Sequence, residues 1–137
     1  VGKRALPALS MTNDAALFSG LAAAGAYDDT FAAQIRLLAR PQDIAVGISA
    51  SGHCANVAAG LAEATDKGLL TVALIGHSST SAGPDIAATP GLDHVLRAHA
   101  SDARVVKEVH VTIYHVLWEL VHVFLEQPGL LAPEVIR

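Results

Sequence analysis

The sequence predicts an α/β fold, a three-layer sandwich in which helices flank a parallel sheet, and three observations predict it. Short, nearly continuous apolar runs recur along the chain, as expected for strands buried on both faces. Helical patterns lie between them, so successive strands need crossover connections. The loops that follow the runs carry Ser, Gly, Asn, Asp and His, at the strand ends where such sheets bind ligands.

The elements follow in order. Ala5 to Met11 (ALPALSM) reads as a first strand, and Ala15 to Ala24 as a weakly patterned helix. Asp28 to Ala39 places Phe31, Ile35, Leu37 and Leu38 at helical spacing and is stopped by Arg40-Pro41. Asp43 to Ser49 (DIAVGIS) is the second strand. Cys54 to Lys67 is an Ala-rich helix with Val57, Leu61 and Ala64 on one face, ended by Gly68. Leu69 to Gly76 (LLTVALIG) and His94 to Ala98 (HVLRA) are the remaining strands. Between them Ser79 to Pro90 reads as loop with a short helical piece around Ile86. Asp102 to Glu126 is the longest helix, closed by Gln127-Pro128-Gly129. The strand tips at Thr12-Asn13-Asp14, Ser49 to Cys54 and Gly76-His77-Ser78 are therefore the places to look for a ligand.

Composition narrows the class. A length of 137 residues implies one domain, and 52% hydrophobic against 16% charged residues implies a packed core. Aromatics are only 4%, so Ala, Val and Leu must fill that core. A mean hydropathy of +0.42 predicts apolar surface shared between subunits. The net charge of −4, with Lys and Arg scattered singly, argues against a nucleic-acid partner. No run reaches the ~18 apolar residues of a membrane span. The lone cysteine, Cys54, excludes an intramolecular disulfide and suits a reducing cytoplasm.

Ser49-Ala50-Ser51-Gly52 follows a strand directly and opens a helix. Helix-start N–H groups and the positive end of the helix dipole favour an anion there, and the Ser hydroxyls add donors. Gly52 would let the backbone approach that anion closely. The spacing is neither that of a Walker A loop nor that of a G-x-G-x-x-G fingerprint. An ordinary helix start with Ser51 as its cap is the competing reading. Asp14 is open in the same way: at a strand tip it could accept hydrogen bonds from the hydroxyls of a ligand, or it could cap the helix beginning at Ala15.

On the long helix Glu108, His115 and His122 recur at seven-residue intervals, a stripe through an otherwise apolar helix of Val105, Val109, Ile113, Leu117, Leu120 and Phe124. For His122 a partly buried side chain satisfied by neighbours is the expected role. His77, His94 and His99 have no metal-ligand spacing. Trp118 is expected in the core or at an interface.

The stretch Gly47-Ile48-Ser49-Ala50-Ser51-Gly52-His53-Cys54-Ala55-Asn56-Val57 resembles the G-I-S-T-S-G-N-S-x-N-V segment of sugar isomerase (SIS) domains, nearest their phosphoheptose isomerase branch. Ala39-Arg40-Pro41-Gln42-Asp43, the Ala64 to Ile75 turn and strand, and Glu108-Val109-His110 with His115 agree in order and spacing. The resemblance spans nearly the whole chain. It implies a flavodoxin-like sheet, a homodimer or homotetramer, and conversion of sedoheptulose 7-phosphate to a heptose 7-phosphate.

By the same resemblance, Ser49, Ser51, the backbone of Ala50, Gly52 and Cys54 hold phosphate, Asn13 and Asp14 contact the sugar, and His115 is both catalytic and a zinc ligand. Lys107 stands where the family has a Gln; an ammonium has no lone pair for zinc but can offset substrate charge. Ala50 replaces a Thr and Cys54 a Ser, which removes one donor and weakens another. The family's N-terminal segment, with a G-N-G-G-S-A loop and a His/Glu-bearing helix, has no counterpart here, so residues 1–137 are expected to form one N-terminally incomplete domain. The alternative is a non-catalytic SIS module that senses a sugar phosphate or serves as an assembly platform, as does a relative that binds the bacterial replication initiator.

Overall fold

The computed structural model describes residues 2–77 and 82–131. Helices α1 (Ala15–Ala23) and α2 (Thr30–Leu38) precede strand β1 (Ile44–Ser49), helix α3 (Ala55–Asp66) and strand β2 (Leu70–Ile75). Strand β3 (His94–Arg97) and helix α4 (Ala103–Glu126) follow, with short 3-10 turns at Tyr27–Asp29, Ile86–Ala88 and Pro128–Leu131. The strands form a parallel sheet in the order β1-β2-β3, Val46 opposite Val72 and Val72 opposite His94. Each helix, the last three strands and the helical turn at Ile86 fall where the sequence predicts them.

Local chemistry explains the boundaries. Asp14 caps α1 by accepting from the Leu17 N–H at 2.9 Å, and Asp102 caps α4 by accepting from the Arg104 N–H at 2.8 Å. Gly68, at φ +78°, supplies the left-handed residue that ends α3 and turns the chain into β2.

The first predicted strand does not form. Residues 2–10 are without regular structure and Met11-Thr12 is a turn. Pro7 has no N–H to give to a ladder, and among the described residues β1 pairs only with β2, so the segment has no strand to lie against. It is held instead by single contacts. Gln34 Nε2 donates to the Met11 carbonyl at 3.0 Å, and the Arg4 carbonyl meets His122.

One face of the sheet is packed and the other largely bare. Ala45, Ala73 and Ile75 meet Leu61 and Val57 of α3 together with Ile86. The approach is close enough that a Cβ on Gly47 would lie 2.8 Å from Leu61 Cδ1. A second cluster of Ile35, Ala64 and Leu69 joins α2 to α3. On the opposite face Ile44, Val46 and Ile48 remain 61%, 54% and 52% exposed. The expected covering of both faces is thus incomplete in this chain. The physical reason is where α4 sits: its Val106 packs at Gly76, the tip of β2, and leaves β1 uncovered.

Candidate functional site at the β1–α3 loop

The loop between Ser49 and Ala55 is built around two hydroxyls and a positive-φ glycine. Gly52, at φ +77°, turns its N–H back to Ser49 Oγ at 3.1 Å, and the His53 N–H donates to Ser51 Oγ at 3.1 Å. Ser49 Oγ lies 3.4 Å from Ser51 Oγ and 3.2 Å from Cys54 Sγ; Ser51 Oγ is 3.8 Å from the same sulfur. Two hydroxyls and a thiol therefore converge where α3 begins.

The same geometry decides between the two readings of Ser51. The capping position of α3 is Cys54, which makes no side-chain capping bond, and Ser51 bonds a residue ahead of the helix. Ser51 is not the cap. At the start of α3 the Val57 N–H is taken by Asn56 Oδ1 at 2.9 Å, and Cys54 caps none of the other N–H groups; free N–H groups at a helix N-terminus suit an anion.

Neighbouring chain holds the loop in place. The Gly76 N–H donates to the Ser49 carbonyl at 2.9 Å, and the Ile86 N–H donates to the Gly52 carbonyl at 2.9 Å. A Cβ on Gly76 would stand 2.0 Å from the Ala50 oxygen, and one on Gly52 2.9 Å from the Gly76 oxygen. These strand and loop backbones touch with no room for a side chain. Reasoning from sequence did not single out Gly76 or Ile86 as supports of the loop; a glycine directly after an apolar strand was the available signal. His53 Nδ1 lies 3.3 Å from the Gly83 carbonyl, closing the loop's outer side.

The other candidates sit at the start of α1 and on α4. Asp14 is engaged as the cap of α1, and Asn13, exposed, donates its N–H to the Ser10 carbonyl. Lys107 and His115 are exposed on α4, with the His115 ring edge-on to Tyr114 at 4.6 Å. Among the described residues no hydrogen bond joins either pair to Ser49, Ser51 or Cys54. Ser78, at the third strand tip, and residues 79–81 of the following loop lie outside the described residues. Trp118 is exposed rather than core, with the Lys3 ammonium 4.3 Å above its ring. His122 is buried and hydrogen-bonded, as its position in the apolar stripe suggested. His110 is also buried, and its Nε2 has no partner among the described residues.

A zinc centre is not assembled from these residues. Among the described residues no three His, Cys, Asp or Glu side chains stand together as metal ligands. His115 can supply one nitrogen and a protonated Lys107 none, so a metal at this helix would take its remaining ligands from elsewhere. No described helix is long and apolar enough to cross a membrane.

A parallel α/β sheet with a hydroxyl-lined turn between a strand and a helix is an architecture that suits an anion. No family model matches the chain. Its sequence is 38% identical over 120 residues to a phosphoheptose isomerase of Solidesulfovibrio magneticus, covering 88% of this chain and 55% of that protein. It is 34% identical over 129 residues to the phosphoheptose isomerase of Maridesulfovibrio salexigens, covering 93% and 60%. Among solved structures, a phosphoheptose isomerase from Francisella tularensis superposes with a TM-score of 0.75 at 27% identity, over 85% of this chain and 60% of that one. One from Neisseria gonorrhoeae gives 0.73 at 25% identity, over 82% and 61%. The chain is thus similar in sequence and structure to phosphoheptose isomerases over most of its own length, as the loop and helix motifs implied. It spans 55% to 60% of the length of these curated relatives.

Proposed function

We propose that this chain is the sugar-phosphate-binding part of a phosphoheptose isomerase, which converts sedoheptulose 7-phosphate to D-glycero-D-manno-heptose 7-phosphate. The observation that carries the reading is the convergence of Ser49 Oγ, Ser51 Oγ and Cys54 Sγ at the start of α3. A phosphate seated there accepts from the hydroxyls and the first amides of the helix, with Ala50 contributing backbone and Gly52 its lack of a Cβ. Asn13 and Asp14 face the sugar hydroxyls, and Lys107 offsets substrate charge.

The reaction moves a carbonyl from C2 to C1 of the sugar. A base takes the proton from C1, and a proton is returned at C2. His115 is the group of this chain suited to that transfer, since an imidazole exchanges protons near neutral pH. The matched relatives favour this enzymatic reading, and nothing among them favours the assembly-platform alternative. The apolar residues exposed along α4, Val105, Leu117, Leu120 and Val121 among them, support assembly into a homodimer or homotetramer. A cytoplasmic location suits the single free thiol of Cys54.

The test is to supply sedoheptulose 7-phosphate to the protein in its full natural length and follow the aldose product. Turnover supports the reading. Tight binding of the sugar phosphate without turnover, with and without added zinc, removes the catalytic claim and leaves a binding module. Failure to bind inorganic phosphate or the sugar phosphate at all removes the site itself.

A further inference from the structure

His122 stands on the last turns of α4, 2% exposed, with both ring nitrogens facing backbone carbonyls. Nδ1 is 2.8 Å from the Trp118 oxygen and Nε2 is 2.9 Å from the Arg4 oxygen. A carbonyl oxygen only accepts. A neutral imidazole carries one N–H and one lone pair, so one of these two contacts would set lone pair against lone pair. Only the imidazolium donates at both nitrogens. We propose that His122 is a charged latch that fastens the segment around Arg4 to α4, and that loss of its proton frees residues 4–10 from the helix while Lys3 stays tied to it through Glu119 and Trp118.

The surrounding charges have been weighed from both elements that meet the ring. On the N-terminal segment the Lys3 ammonium opposes a charge on His122, but it is drawn away by its ion pair with Glu119 and lies over the Trp118 ring. On α4, Glu126 favours the charged form. The 3-10 turn Pro128–Leu131 that follows α4 carries no titratable side chain. The Arg4 carbonyl first and the Trp118 carbonyl second hold the imidazole above its ordinary value of 6.5, against its burial and the Lys3 charge. Because the value is raised on docking, the attachment is complete below about pH 6.5 and is lost as pH rises through the raised value.

The reach of the release is also defined. Gln34 Nε2 holds the Met11 carbonyl at 3.0 Å by a bond that does not titrate in this range. Between that bond and the Lys3 contacts to Glu119 and Trp118, residues 4–10 should loosen while Lys3, Asn13 and Asp14 stay in place. The latch is independent of the proposed isomerase reading.

The experiment is a nitrogen-15 NMR titration of the full chain from about pH 5 to about pH 8, the range in which histidines change charge. The expected result is a His122 ring protonated at both nitrogens at the acid end, with a midpoint above the ordinary 6.5. Backbone order in residues 4–10 should fall with the same midpoint while residues 13–14 stay ordered. A midpoint below 6.5 would overturn the proposal. So would a singly protonated ring at the acid end, or order in residues 4–10 that ignores the titration. His122→Gln, whose single amide group cannot donate along both directions, should leave residues 4–10 mobile at every pH with the α4 resonances otherwise unchanged. If that variant disturbs α4 as a whole, the wild-type titration alone decides.

Discussion

The β1–α3 loop and helix α4 both carry motif residues, yet the chain treats them oppositely. In the loop, each hydroxyl is met by a backbone N–H or another polar side chain, and the backbones of β2 and the 82–88 segment brace it from below. On α4, Lys107 and His115 stand in the open among exposed apolar residues, and only Val106, His110 and His122 are buried. The difference teaches that the two regions of the proposed site are organised differently. The loop is pre-organised by residues within this chain, whereas the α4 groups sit on an exposed, largely apolar surface.

Five variants would break or sharpen that contrast. The largest effect is expected from Gly76→Ala, because its Cβ would enter the Ala50 carbonyl. Overpacking against backbone should cost about 1–3 kcal/mol, read by urea denaturation, and inorganic phosphate binding should be lost in the same variant. Retained phosphate affinity in a folded Gly76→Ala protein would show that the loop is not braced as described. Next, Ser51→Ala should weaken phosphate binding about tenfold, as expected for one hydrogen bond to a charged group. His115→Ala should leave that affinity alone, since no bond joins it to the loop. Calorimetric titration of the two variants would separate them, and equal losses would merge the two regions into one site.

A pair of substitutions on the helix tests its partner surface. Leu117→Glu with Leu120→Glu should shift the protein to monomer in sedimentation while phosphate binding by the loop persists. An unchanged sedimentation coefficient would mean that the apolar face of α4 is not the interface. The smallest effect belongs to Asp102→Ala, which removes the cap of α4 and should lower Tm by no more than a few degrees. The Asp102 carboxyl is held below its ordinary 3.8, by its side-chain bonds to Arg104 first and by the Arg104 backbone N–H second. Its contribution is therefore present above about pH 3.8 and is lost as pH falls through the lowered value. Wild type and Asp102→Ala should converge in acid, which thermal melts across that range would check.

How far the sequence could be read varies with how local the information is. Helices α2, α3 and α4 and strands β2 and β3 were readable because caps, Gly68, Pro41 and apolar runs act within a few residues of themselves. The Ala5 to Met11 strand was not, because a strand needs a neighbour, and a run of apolar residues reads the same with or without one. The loop motif was visible as Ser49, Ser51 and Gly52, but whether Ser51 caps a helix depends on which N–H its oxygen meets. A similar contrast divides the histidines: seven-residue spacing placed His115 and His122 on one stripe, and only packing buried one and exposed the other.

The order of elements from α1 onward, the parallel α/β class and the hydroxyl loop were determined by sequence alone, since hydrophobic period and turn chemistry are short-range properties. Tertiary structure decided which face of the sheet is covered, which backbones clamp the loop, and that His122 meets the Arg4 carbonyl across 118 residues of chain. The physical reason is that a hydrogen bond or a packed contact depends on separation in space. Two carbonyls brought to one imidazole from such distant positions leave no mark in any local pattern.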